Sequence, residues 1–226
     1  MAAQTTTIGV ILFDGFELLD TFGPLEFLNY CPGVQHYIIT ESGNPASVWL
    51  GAPKPGAAPA LATSVVASYS FDNAPDLDVI LLPGGFGTRA QEKNEKMVQF
   101  LKKAGQKAKY VLTVCTGSLL FSRTGLLDGR PVTSNKAVMS RPEEFNSDKY
   151  PGPQWKPHAR WVHHASTGAD VPDLWTSSGV AAGMDMTIAF ISHVWGAEIA
   201  RRIAQGSEYT PQEDPDVDVF ADIYHL

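Results

Sequence analysis

Cysteine is nearly missing from this chain: among 226 residues only Cys31 and Cys115 occur. Two thiols with no CxxC pair are too few for a disulfide framework or a structural zinc site, and are expected to stay reduced in a cytoplasmic protein. Long apolar runs are also missing, since no stretch approaches the roughly 20 residues of a membrane span. The first seven residues, MAAQTTT, lack the basic flank and apolar core of a signal peptide. Basic residues number 17 against 24 acidic ones, for a net charge of −7. With no basic cluster either, nucleic acid is not expected as a partner. Neither GxxxxGK[ST] nor the full GxGxxG spacing is present, which argues against a nucleotide cofactor. What remains is a globular profile, 44% hydrophobic and 18% charged, read as one domain over residues 1–226 with a short acidic tail from about residue 207.

Buried strands are expected at the largely apolar runs 7–13, 77–82 and 110–114, and a further strand at 35–40. Shorter strands are expected at 131–134, 160–164 and 174–178. Helical spacing covers 17–30, 95–107, 119–124, 136–145, 179–194 and 197–206. Residues 49–59 and 146–157 read as loops and 211–218 as an extended acidic segment. Strands alternating with helices predict an α/β fold, a mostly parallel sheet covered on both faces, with ligands bound beyond the carboxyl ends of the strands.

Three such strand ends carry chemistry. Cys115 follows an apolar strand without a spacer and precedes Thr116-Gly117-Ser118, which opens a helix. A helix N-terminus is expected to lower the thiol pKa and expose a nucleophilic thiolate, although the position also suits a buried structural cysteine. Cys31 has no such context. Gly84 and Gly85, after residues 77–82, could turn backbone N–H groups toward developing negative charge, or form an ordinary turn. Asp20 could be a buried proton donor and acceptor or a helix cap. Glu17 competes with it, and spacing does not decide which carboxylate points inward. His163 and His164 are adjacent in a strand, so their side chains face opposite ways; they read as surface residues rather than metal ligands, and no histidine is assigned to catalysis.

In order, VILF with LDTFGP (residues 10–13 and 19–24), DVILLPGG (78–85), VCTGS (114–118) and TSSGVAAGMD (176–185) resemble the DJ-1/PfpI superfamily, and most closely its isocyanide hydratase branch. The resemblance implies a flavodoxin-like three-layer sandwich with a nucleophile elbow, a homodimer, a small-molecule substrate and no metal or other cofactor. It implies Cys115 as nucleophile, Asp20 as its acid/base partner, Thr116 in the site, and Gly84 and Gly85 in an anion-stabilising backbone. Many members of the superfamily place a histidine near the cysteine, after the short strand, where this chain has Thr133-Ser134-Asn135-Lys136. Asn135 cannot act as a general base, which counts against Cys–His peptidase or amidotransferase chemistry and against a Cys–Glu–His glyoxalase site.

The expected activity is therefore hydration of an isocyanide to an N-substituted formamide through a thioimidate, in an apolar pocket. The alternatives are glyoxalase III-like conversion of methylglyoxal to lactate, or a redox- or stress-responsive protein without turnover whose cysteine is oxidised to sulfenic or sulfinic acid. A transcription activator fused to such a domain is not expected, since the acidic tail leaves no room for a helix-turn-helix module.

Overall fold

The apolar β-branched runs become one sheet. The computed structural model describes residues 5–48 and 63–226, so the loop expected at 49–59 lies outside the described residues. Strand β1 (Thr6–Ile11) leads into α1 (Leu18–Leu28) and β2 (Val34–Thr40). Three two-residue strands follow: β3 (Ala46–Ser47), β4 (Ser64–Val65) and β5 (Tyr69–Ser70). Next come β6 (Val79–Leu82), α2 (Thr88–Gln91), α3 (Glu95–Lys107), β7 (Tyr110–Thr113) and α4 (Gly117–Ser122). The last part contains β8 (Pro131–Val132), α5 (Lys136–Met139), β9 (Gln154–Trp155), β10 (Trp161–His164), β11 (Asp173–Ser177), α6 (Val180–Trp195), α7 (Ala197–Gly206) and α8 (Val219–Ile223).

Among the described residues, seven strands form a sheet in the order β10-β11-β7-β6-β1-β2-β5. Every neighbouring pair is parallel except β10 with β11. Its central order, β2-β1-β6-β7-β11, is the flavodoxin-like winding, which switches direction between β1 and β6. Helices α1, α6 and α7 pack on one another, as do α2, α3 and α4, giving two helical layers around the sheet. Because both faces are covered, central strands need apolar side chains at every position rather than at alternate ones. All four residues of β6, Val79 to Leu82, are fully buried. Each such side chain contributes about 1.5–3 kcal/mol relative to exposure.

Two expected elements differ. The helix expected over 136–145 stops at Met139, because Pro142 disfavours helical backbone at Arg141 and cannot donate a helical N–H. The loop expected over 146–157 is anchored rather than fully exposed: Tyr150 is buried with its hydroxyl on Glu92, and Gln154–Trp155 pairs with β8.

The acidic tail docks, and it ends in the unforeseen α8. Carboxylates stay extended in water unless cations hold them, and here the buried Lys136 and the part-buried Arg160 do. Arg160 binds Asp185 Oδ2 at 2.6 Å and lies 3.8 Å from Asp218, while Lys136 Nζ lies 4.0 Å from Asp218. Tyr209 Oη and the Gln212 N–H both donate to Asp185 Oδ1. Burial pushes the Lys136 ammonium down to about 8, against the opposing pull of Asp218. No helix among the described residues is long and apolar enough to cross a membrane.

Candidate active site

Strands β1, β6 and β7 lie side by side, so the loops leaving their carboxyl ends converge. Those loops carry Gly84 with Gly85, and Cys115, while the loop after β1 leads into the first turn of α1, which carries Asp20.

Cys115 sits between β7 and α4 with φ of 59°, a left-handed conformation that few residues other than glycine adopt. Holding it costs about 1–3 kcal/mol. Fixed contacts impose it: the Cys115 N–H donates to Ser178 O at 2.9 Å, and the hydroxyls of Ser118 and Ser134 both donate to Cys115 O. The positive φ falls on Cys115 itself rather than on the nearby Gly117. Gly117 is needed for closeness, since a Cβ there would lie 2.4 Å from Leu82 O. Cys31 is a buried structural thiol with Sγ 3.8 Å from Phe27 O, and burial pushes it up to about 12.

Asp20 settles its competition with Glu17. It lies in the first turn of α1, is fully buried, and accepts the Gly84 N–H on Oδ2 at 2.9 Å. It is not a cap: Glu17 holds the N-cap position and makes no side-chain capping bond. Asp20 Oδ1 is buried without a hydrogen-bond partner. A Cβ at Gly84 would lie 2.6 Å from Thr116 N and 2.9 Å from Cys115 Cβ, so only glycine lets the β6 loop approach the elbow this closely.

The two glycine amides expected as anion donors are engaged. The Gly84 N–H is on Asp20, and the Gly85 N–H donates to Thr116 Oγ1 at 3.1 Å. Both amides position side chains in this geometry, and Gly85 and Thr116 themselves line the cavity beside Cys115. Thr116 ties the loops together, and the Thr88 hydroxyl lies 3.2 Å from its Oγ1.

The ionisation pattern departs from the expected low-pKa thiol. Burial raises Asp20 to about 7, with a smaller contribution from Glu17, against the lowering effects of the Gly84 N–H and, last, of the Cys115 thiol, which favours the carboxylate. The Cys115 thiol is pushed up rather than down, first by burial and then by the Asp20 carboxylate. The Thr116 N–H and the Asn135 amide favour the thiolate but do not outweigh those effects. Helix α4 is only 6 residues long, too short to bring a full helix dipole to bear. Each group thus acts on the other's ionisation, and near neutrality one negative charge belongs to the pair rather than to sulfur alone.

Asn135 is the site residue that the sequence reading did not assign. Its Oδ1 accepts the Val138 N–H at 3.0 Å as the cap of α5, which fixes the amide so that Nδ2 faces Cys115 Sγ at 3.2 Å. The available signal was local: an asparagine directly before a helical run is a capping pattern. Cys115 and Asn135 border a cavity of about 210 Å³ with Phe86, Val138 and Val180 among its apolar lining. The apolar pocket that was expected is mainly apolar in its lining, but Glu17, Arg89 and Arg141 also border it. Both arginines are ion-paired with Glu144.

The sequence profile of the DJ-1/PfpI family matches residues 6–193. The chain belongs to the DJ-1/PfpI family. Among similar proteins is the isonitrile hydratase of Pseudomonas putida, 26% identical over 215 residues, spanning 90% of this chain and 78% of that one. Another is the HTH-type transcriptional regulator GbdR of Pseudomonas aeruginosa, 27% identical over 203 residues; the match takes in 88% of this chain but only 49% of the regulator. A solved ThiJ/PfpI family protein from Pseudomonas syringae superposes with a TM-score of 0.72 at 25% identity, covering 92% of this chain and 76% of that one. Since an enzyme and a regulator both appear among its relatives, DJ-1/PfpI membership does not by itself name a reaction.

Within this DJ-1/PfpI site, the two roles of Asn135 can be separated. Asn135→Ala loses both the cap and the donor to sulfur. We expect a stability loss of about 1 kcal/mol in urea unfolding and a roughly tenfold slower alkylation of Cys115 by iodoacetamide, from the lost charge-assisted bond. Asn135→Asp keeps a capping oxygen but turns an acceptor toward sulfur. It should retain stability and still alkylate slowly; equal rates in wild type and Asn135→Asp would remove the amide's role.

Proposed function

We propose that this protein hydrates isocyanides to N-substituted formamides. The reading is carried by the pairing of Cys115 with a buried carboxyl, Asp20, that titrates near neutrality, while an amide rather than an imidazole contacts the sulfur. A thiol held up by burial needs a base at the moment of attack, and a carboxylate titrating near 7 is suited to take and return a proton at neutral pH. Asp20 takes the thiol proton as sulfur adds to the terminal carbon of R–N≡C. It then delivers that proton to the same carbon, giving the thioimidate R–N=CH–S–Cys115. Water adds to that carbon, one of its protons going to nitrogen, and as the C–S bond breaks the hydroxyl proton passes through Asp20 to the departing sulfur. The products are R–NH–CHO and the free thiol, so the whole reaction adds one water to one isocyanide.

The relationship to an isonitrile hydratase supports this reading, as does the partly apolar cavity beside Cys115. Reduced protein incubated with cyclohexyl isocyanide should yield N-cyclohexylformamide by NMR, and Cys115→Ala should yield none. No formamide from folded, reduced wild type removes the proposal. We carry a cytoplasmic homodimer as part of the same reading; light scattering should then give twice the chain mass of 24.5 kDa.

A further inference from the structure

We propose a divalent transition-metal site, of the kind zinc occupies, formed by His163, Asp173 and His193 on the sheet edge remote from Cys115. Three separate elements supply the donors: His163 from β10, Asp173 from the first position of β11, and His193 from the last turn of α6. One ligand atom from each lies within 4.8 Å of the other two. Two imidazoles and one carboxylate form a borderline donor set that suits Zn²⁺ and its neighbours rather than Mg²⁺ or Ca²⁺.

The donors are held by their surroundings. His163 Nε2 lies 2.7 Å from Asp173 Oδ1, and the Trp175 indole N–H donates to the same oxygen at 2.8 Å. The His163 ring stacks on Trp175 with centroids 4.0 Å apart and planes 14° apart. The His193 ring stands 4.9 Å from His163 at 60°. Such outer contacts, which fix ring and carboxylate orientation, are what a metal site requires beyond its ligands. His193 ends a helix of 16 residues, where the negative end of the dipole favours a cation. The cluster is open on one side, so an ion would complete its coordination with water.

This site is separate from the thiol. Asp173 pairs in register with Tyr110, at the start of β7, whereas Cys115 lies beyond the end of that strand. Five residues of extended chain separate the two levels by about 16 Å. Arg130, the cation that interacts electrostatically with Asp173, is held by His164 Nδ1 and by the carbonyls of His164 and Pro172. A bound ion would replace the direct His163–Asp173 contact and clip the β10–β11 edge to α6.

The test uses the full chain carrying Cys115→Ser, so that the active-site thiol takes no metal. Titration with zinc chloride in a calorimeter should show one equivalent bound, with a rise in Tm in the presence of zinc. His193→Ala should weaken binding at least tenfold, and its exposed position leaves the fold intact. Asp173→Asn, which keeps an acceptor for Trp175, should also weaken it at least tenfold. No uptake by Cys115→Ser, or equal uptake in the His193 and Asp173 variants, overturns the proposal.

Discussion

Asp20→Asn should lower kcat for isocyanide hydration by about 10²–10⁴-fold, the usual contribution of a positioned acid–base group, while making the protein more stable above neutral pH. Asn can keep an oxygen on the Gly84 N–H, so the loop geometry survives. It cannot take a proton from Cys115, so turnover does not. The stability effect follows from linkage. Asp20 is raised from 3.8 to about 7, so the folded state binds its proton more tightly than the unfolded chain. Its favourable contribution is complete below pH 3.8 and is lost as pH rises through about 7. Unfolding in urea at pH 5.5 and 8.5 reads this directly. The advantage of Asp20→Asn over wild type should be about 2 kcal/mol larger at the higher pH. An advantage that does not grow with pH would mean that Asp20 is ionised throughout.

Gly84→Ala is the second large effect, and it acts through the backbone. The added methyl would stand 2.6 Å from Thr116 N and 2.9 Å from Cys115 Cβ. Neither is the end of a flexible side chain, so the β6 loop or the elbow must move. We expect a loss of about 3 kcal/mol in urea unfolding, toward the upper end for overpacking. We also expect turnover to fall with it, because the N–H that anchors Asp20 moves too. Gly168→Ala is the control, since nothing lies within 4 Å of its added carbon; it should shift stability by less than about 0.5 kcal/mol. Comparable losses in the two variants would show that Gly84 has no special place.

Much of this arrangement was legible because strand burial and loop position are written locally. The runs at 77–82 and 110–114 are apolar apart from Asp78 and Thr113, which fits a sheet covered on both faces, and they lead into PGG and CTGS. Parallel order then brings those ends together. Long-range charge balance was not legible. The docking of the tail depends on Arg160 and Lys136 meeting Asp185 and Asp218 across the fold, and no local pattern announces it. The thiol pKa was misjudged for a related reason. A helix N-terminus is visible in sequence, but the burial and the facing carboxylate that outweigh it are not. The glycine amides were likewise assigned to a substrate, when the partners that occupy them are Asp20 and Thr116. Asn135 was noticed as a departure from its relatives, yet only the α5 cap shows why its amide nitrogen faces sulfur.

The most direct measurement of the Cys115–Asp20 coupling is the rate of Cys115 alkylation by iodoacetamide from pH 5 to 10, in wild type and in Asp20→Asn. Coupled ionisation gives a wild-type profile that rises through an inflection near pH 7, and an Asp20→Asn profile that lacks it. Superimposable profiles, with a single alkaline rise in both proteins, would contradict the account.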